Sequence, residues 1–437
     1  MAIPTLQGLQ TALSGLLANQ QALDIAGHNI ANANTEGYTR ETAVMQPNPP
    51  IEIPALSTLT GEGAQLGTGV GVQAYERIRN SYLDAQYRTQ NGALSGASTQ
   101  AEELQQAQAA FNEPSSAGLA NALSKFWSAW SSLASSPTSE AAKEGVVAAG
   151  QQLANDLHQV GGQLATISAQ ASEQYAARTG PSGEVSQYAQ QIATLNTQIK
   201  LSEESGQKPN DMLDRRDLLL DKLSTLAQVT VSKQPDGTDT VSFGDAAKPL
   251  VEGGKVNWPQ ALTAAAGGQL GALQGLTSPT GALNSYRTAL DGVAAALAKS
   301  VNALHTKTPF FSGETAATIA VAVTAAQVQT SSTEAAGGND VALAVAALRG
   351  GAADQAYTGL IERVGSDVKG AQNEHANLQT TVTAINGQRQ SVSGVSLDEE
   401  MTNLMSFQRA YQASARTLTA MDDMLETLIE HTGKAGL

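Results

Sequence analysis

No cysteine occurs in the 437 residues. That excludes disulfide staples, zinc–thiolate centres and cysteine nucleophiles, and it suits a chain that passes through an oxidising compartment. Charge is sparse as well. Asp, Glu, Lys and Arg together make 15% of the chain, against roughly 25% in ordinary globular domains, so Gln, Asn, Ser and Thr must form the polar surface. The net charge of −15 points away from nucleic acid and from anionic membrane, which are bound through clustered Lys and Arg. Aromatic residues make only 4%. A core with so few large side chains suits long helices packed closely side by side. No run approaches the roughly 18 apolar residues of a membrane span. The first basic residue is Arg40, and the stretch before it has no basic n-region, unbroken apolar h-region or cleavage site. A cleaved secretory signal is therefore not expected.

Catalytic patterns are missing too. His28, His158, His305, His375 and His431 stand apart from one another, and none sits in an HExxH pattern, so no metal site is expected. Close carboxylates occur at Glu102–Glu103, Glu203–Glu204 and Asp398–Glu400. Adjacent helical residues point about 100° apart, so these pairs are expected on solvated faces rather than converging across a glycosidic bond. The run "GEGAQLGTGVG" at 61–71 carries no Gly-Lys-Ser/Thr, and no Ser sits in GxSxG. The expectation is a protein that is not an enzyme and holds no cofactor.

The informative patterns lie at the two ends. Leu9, Leu16, Leu23 and Ile30 recur every seven residues, with Leu6, Leu13, Gln20 and Gly27 as a second row. Steps of three and four put both rows on one helix face, as in a coiled-coil seam. Near the other end, Leu397, Leu404, Tyr411, Leu418 and Leu425 repeat every seven residues, with Met401, Gln408, Ala415, Asp422 and Ile429 as the weaker row. Ser396 and Glu399 form a plausible capping box for its start. Two such helices can pair with each other, or each can cap a globular core; periodicity leaves both readings open.

One feature favours contact with identical copies. Residues 1–35 hold a single charged side chain, Asp24. In a ring or tube every charge recurs in every subunit, so like charges crowd, whereas a neutral polar face avoids that repulsion. A buried intramolecular helix would also shed charge. After Ile30, the segment "GHNIANANTEGYTR" supplies Asn29, Asn32, Asn34, Gly37 and Tyr38. Asn and Gly there suit a helix end and turn rather than a ligand site.

Between the ends, "QPNPPIEIPAL" is extended or looped and "GTGVGVQAYERI" reads as strand. Helices are expected over most of 80–228, with breaks at "NEPSS", "ASSPTS", "RTGPSG" and "SGQKPN". "VTVSKQPDGTDTVSF" reads as a β-hairpin around Pro-Asp-Gly. Helical periodicity resumes near Leu283, and 353–390 reads as one long helix.

The terminal segments resemble the bacterial flagellar axial proteins, the family of rod, hook and hook-associated subunits. "LSGLLANQQALDIAGHNIANANTEGYTR" carries a pattern like N-I-A-N-x-N-T-x-G-[FY], and "VSGVSLDEEMTNLMSFQRAYQASARTLTAMDDMLETLI" resembles the paired C-terminal helix. Residues 111–157 and "PNDMLDRRDLLLDKLSTLAQV" resemble the hook-associated members that join hook to filament, more than the hook or rod subunits, which are the alternative. The resemblance covers most of 1–255 and 340–432. It implies a mainly α fold with discontinuous terminal coiled-coil helices (1–38 plus 395–437). It further implies a mainly helical middle domain (39–228 plus 283–394, with a β segment at 41–75) and a small β-rich inserted outer domain at 229–282, reduced from the larger insertion usual in the family.

The same resemblance implies a structural role in the flagellum outside the cell, in a layer of identical copies. The partners would be hook protein and a second junction protein. Export would proceed without cleavage through the flagellar type III apparatus, after an export chaperone binds at Leu418, Met421, Leu425 and Ile429. A lone pair of exposed heptad helices is marginal in water. Limited proteolysis of the isolated chain is therefore expected to remove the terminal segments first, with a corresponding drop in helical circular dichroism. Termini that are fully helical and resistant before assembly would contradict this.

Overall fold

The computed structural model describes residues 4–53, 64–333 and 337–432. Helix α1 (Pro4–Asn32) leads into strands β1 (Glu41–Pro47), β2 (Ile51–Ile53), β3 (Ala64–Leu66) and β4 (Val70–Arg77). β1 pairs with β4 and β2 with β3, both antiparallel, giving one long ribbon whose base rests on α1. Asn80 then caps α2 (Ser81–Phe111) by accepting the N–H groups of Tyr82 and Leu83. Asn112, in the left-handed region at φ 51°, ends it. Helices α3 (Leu119–Ser135), α4 (Glu140–Thr179), α5 (Glu184–Glu204) and α6 (Asn210–Leu226) follow.

The chain next forms a four-stranded antiparallel meander: β5 (Val229–Lys233), β6 (Asp239–Phe243), β7 (Pro249–Glu252) and β8 (Lys255–Val256). Then come α7 (Gly268–Thr277), α8 (Ala282–Leu304), a short ribbon of β9 (Phe311–Ser312) and β10 (Ala320–Val321), and α9 (Asp340–Ala346). The chain returns through the 42-residue α10 (Ala352–Ser393), alongside α2, and closes with α11 (Leu397–Thr432) on α1. The fold is mainly α, as the sequence pattern indicates. No helix among the described residues is long and apolar enough to cross a membrane.

The scarce aromatics are concentrated rather than spread. Five of the six Phe, and Trp127 and Trp130, are fully buried. Phe126, Trp127, Trp130, Phe310 and Phe311 form one cluster between α3 and the 310–311 segment, with ring centroids 4.8–6.3 Å apart. It anchors a core shared by α2, α3, α4, α8, α9 and α10. Tyr286 and Tyr357 tie α10 in through hydrogen bonds to Asp367 and Glu113. A second core holds α5, α6 and the meander together through Ile192, Leu220, Leu223, Val241, Phe243 and Leu250.

Residues 229–282 thus differ in part from the β-rich expectation. The sheet ends at Val256, and "GQLGALQGLT" is α7, packed on α2 and α4. Its Leu270, Leu273 and Leu276 fall at helical spacing and are all buried. The Gly-rich composition of the stretch hid that period.

Candidate assembly interface

The α1–α11 pair is antiparallel with a seven-residue register. A Cβ on Gly8 would meet Met421 Cε at 2.9 Å, and one on Gly15 would meet Ser414 Oγ at 3.3 Å. Asn29 touches Glu400. Continuing the same steps sets Ala22 opposite Phe407. The facing row on α1 is therefore Gly8, Gly15, Ala22 and Asn29. This differs from the second row expected from heptads (Leu6, Leu13, Gln20, Gly27). Leu13 and Gln20 are exposed, as is Gly27, and the Leu6 side chain lies outside the described residues. Leu9, Leu16, Leu23 and Ile30 are half-buried flanks of the small-residue row, while Ala12, Ala18, Ala22 and Ala26 are fully buried. Small residues let the helix axes approach closely, so dispersion contacts replace the bulk a Leu seam would supply.

On α11, Leu404, Tyr411, Leu418 and Leu425 are half-buried, and the second row is Glu400, Phe407, Ser414 and Met421. That row lies three residues after the first, not four. Met401 and Ile429 accordingly face outward, and Leu397, at the start of α11, is exposed as well. Leu13 and Leu17 of α1, and Met405, Met424 and Leu428 of α11, are also exposed on the pair's outer surface.

At the turn after α1, Asn29 is a fully satisfied polar centre. Asn29 is 1% exposed. Its Nδ2 donates to the Glu41 carbonyl (2.9 Å) and to Glu400 Oε2 (3.2 Å); its Oδ1 accepts from the Glu41 N–H (2.9 Å) and the Tyr38 hydroxyl (2.7 Å). A carboxamide has two donors and two acceptor positions, and all four are used. The Tyr38 hydroxyl also lies 3.1 Å from His28 Nδ1. Burial, and then the Glu41 and Asp214 carboxylates, push the Tyr38 phenol well above its usual range, so it stays a donor. Burial likewise raises the Glu41 carboxyl. Asn32 donates to the His28 carbonyl and accepts from Thr35, closing the helix end; Asn34 is exposed. Gly37, at φ 82°, packs against α6, where a Cβ would lie 3.0 Å from Leu218.

Below this turn lies a buried ionic cluster that sequence reading missed. Asp214, Asp217 and Asp221 occupy one face of α6. Arg77 contacts Asp214 (2.6 Å) and Asp217 (3.0 Å); Arg79 contacts Asp84 (2.7 Å) and Asp217 (3.3 Å). Arg88 reaches Asp217 (3.1 Å) and Asp221 (2.7 Å), and Arg389 of α10 bridges Asp84 (2.9 Å) and Asp221 (2.8 Å) while stacked on Tyr87. None of the eight charged side chains is more than 16% exposed. Burial pushes the Asp217 carboxyl up, but Arg79, Arg88 and Arg77 more than reverse this and hold it well below the carboxylate range. The Asp spacing of i, i+3, i+7 was the available signal; their Arg partners lie more than 100 residues away in sequence, apart from Asp84.

Two carboxylates expected on solvated faces are buried instead. Glu400 reaches Asn29, and Glu103 is 3% exposed with Gln174 as its donor. Both sit where a second helix crosses, which pattern within one helix does not reveal. Among the described residues no group of three or more His, Asp and Glu is placed to hold a metal ion.

Comparison with known proteins places these features in a family. The model described as "Flagellar hook-associated protein FlgK helical domain" matches residues 104–265. "Flagella basal body rod protein" matches 9–39, and "Flagellar basal body rod FlgEFG protein C-terminal" matches 387–430. Flagellar hook-associated protein 1 of Bacillus subtilis is 30% identical over 508 aligned positions, spanning 99% of each chain. Its counterpart in Salmonella typhimurium is 29% identical across 68% of this chain and 56% of the relative. The solved flagellar hook junction protein FlgK from Burkholderia pseudomallei overlays 51% of this chain and 43% of its own, at 25% identity and a TM-score of 0.45.

Two outcomes follow from this geometry. Replacing Asn29 with Ala leaves the buried Glu400 carboxylate and the Glu41 backbone groups without partners, at about 1–3 kcal/mol each. Amide hydrogen exchange of α1 should accelerate by at least tenfold, with α3 and α4 unaffected. The second outcome concerns acid. An unfolded Asp titrates near pH 4, whereas folded Asp217 titrates well below that. Between those limits the unfolded chain takes up a proton that the folded chain refuses. The contribution of Asp217 is thus complete above about pH 5 and declines as the pH falls through this window. Urea midpoints at pH 7, 4 and 3 should fall for the wild type. Asp217→Asn should start about 3–5 kcal/mol lower at pH 7 and lose less on acidification.

Proposed function

From the membership of this chain in the flagellar hook-associated protein 1 family, we propose that it is the structural junction subunit that joins hook to filament. In this reading copies of the chain form a layer at the distal end of the hook, bound to hook protein on one side and to a second junction protein on the other. The observation that carries the reading is the terminal helix pair. It exposes large apolar side chains on both helices, Leu13 and Leu17 on α1 and Met401, Met405, Met424 and Ile429 on α11, and the first 35 residues of the chain hold one charged side chain. Exposed apolar area supports an interaction surface, and the neutral polar surface of α1 tolerates repetition in a symmetric layer. The ribbon adds Ile51 directly opposite Leu66, both exposed.

Export follows from the same surface. We infer passage through the flagellar type III apparatus as an unfolded, uncleaved chain, with a chaperone bound at Leu418, Met421, Leu425 and Ile429. The first three lie on the half-buried face of α11, and Met421 meets α1 at Gly8. A chaperone there competes with α1 and keeps the pair open until export. A hook or rod subunit is the second reading. The hook-associated match over 104–265 favours the junction, because that stretch lies outside the terminal segments shared across the axial family.

Removing residues 397–437 should leave cells with hooks but no filaments, seen by electron microscopy, and with flagellin lost to the medium. Filaments of normal length on such cells would overturn the junction role.

A further inference from the structure

We propose that the outer face of α6 is a socket that fixes the direction in which the terminal helix pair leaves the helical body. The inference concerns a single chain and stands independently of the junction reading. It rests on where the chain crosses between the two parts. The turn after α1 is held by the Thr39 N–H donating to Asp214 Oδ2 (2.8 Å), by Gly37 against Leu218 and by Glu36 beside Lys222. The first crossing, between β4 and α2, is held by Arg77 and Arg79 on Asp214 and Asp217. The second, at the end of α10, is held by Arg389 on Asp221. The crossings are also stitched to each other: Arg40 N–H donates to the Ser393 carbonyl, Ile78 N–H to the Arg40 carbonyl, and Arg389 meets Asp84. Every route between the parts is thus fastened to one 17-residue helix.

The chemistry of the socket suits direction more than stability. A buried ion-pair network gains little over apolar packing of the same volume, yet removing one partner is expensive. Arginine's planar fork also admits few alternative geometries. Such a cluster therefore penalises every orientation except one. The other face of α6 is buried in the second core through Leu220 and Leu223, so the socket is rigidly mounted. The exposed pairs at its rim, Arg40–Glu399 and Lys222–Glu36, are screened by solvent and contribute little.

The absence of cysteine makes a direct test simple. Gln100→Cys on α2 and Asn403→Cys on α11, one turn beyond the Asn29–Glu400 contact, accept two spin labels at exposed positions of the full chain, and pulsed electron resonance gives the distribution of distances between them. The wild-type background should give one narrow distribution. Arg389→Gln with Asp84→Asn should at least double its width while far-ultraviolet circular dichroism is unchanged. Glu36→Gln, Lys222→Gln and Glu399→Gln together should leave it narrow. A distribution that stays narrow after the buried pair is neutralised overturns the proposal, as does equal broadening by the rim variant. If the buried double variant loses helicity, Arg389→Lys keeps the charge but not the two-point contact. It should still broaden the distribution, and a narrow result there overturns the proposal equally.

Discussion

The contact between the carboxylate row of α6 and four arginines organises this molecule. Asp214, Asp217 and Asp221 are presented together because α6 places residues three and four apart on one face. Burial raises the Asp217 carboxyl, and the guanidinium groups of Arg79, Arg88 and Arg77 more than reverse this and keep it charged. Each partner is supported by a different element, so the cluster closes only when the ribbon, α2 and the end of α10 have all arrived. The helical body and the terminal pair have separate apolar cores, and little apolar surface joins them. Ionic contact at the neck supplies the specificity that apolar packing does not.

The terminal pair obeys a different logic from the body. The body concentrates nearly all the large side chains of a chain poor in them, and Phe126, Trp130 and Phe310 each meet several other rings. The pair relies on alanine and glycine along α1, whose burial contributes little per residue: about 0.8 kcal/mol for each CH2-sized increment, against 1.5–3 for a whole Leu or Phe. Several of its large apolar side chains, Leu13, Leu17, Met401 and Ile429 among them, point outward instead. A pair built this way buries little apolar area within one chain, which suits the assembly role proposed above.

Much of this was legible from sequence. The two heptads, the break at Asn32, the helices of the body and the hairpin around Pro-Asp-Gly all follow from local period and turn chemistry. The facing rows were not. A seven-residue repeat fixes the stripe but leaves open which neighbouring row faces the partner helix, and counting large apolar side chains chose Leu13 and Met401 where the structure uses Gly15 and Glu400. The preference misleads because the tightest contact between two helices needs the smallest residues. The ionic cluster was illegible for another reason. Arg77 and Asp214 are separated by 137 residues, Arg389 and Asp221 by 168, and nothing in either neighbourhood announces the partner.

Asn29 shows what a buried polar residue does within such a weak seam. Apolar contacts between Ala and Gly rows change little when one helix slides by a turn, so they leave the register almost undetermined. A carboxamide with four obligatory partners does not tolerate sliding: a shift of one turn strands the buried Glu400 and the Glu41 backbone without their partner. A polar residue at a core position of a coiled coil specifies register in the same way, at some expense in stability. Here the pin stands at the end of the pair nearest the neck. Tyr38, which donates to it, follows Gly37, and Gly37 packs on α6. Register and direction are therefore fixed at neighbouring points, both at the end of the pair nearest the neck.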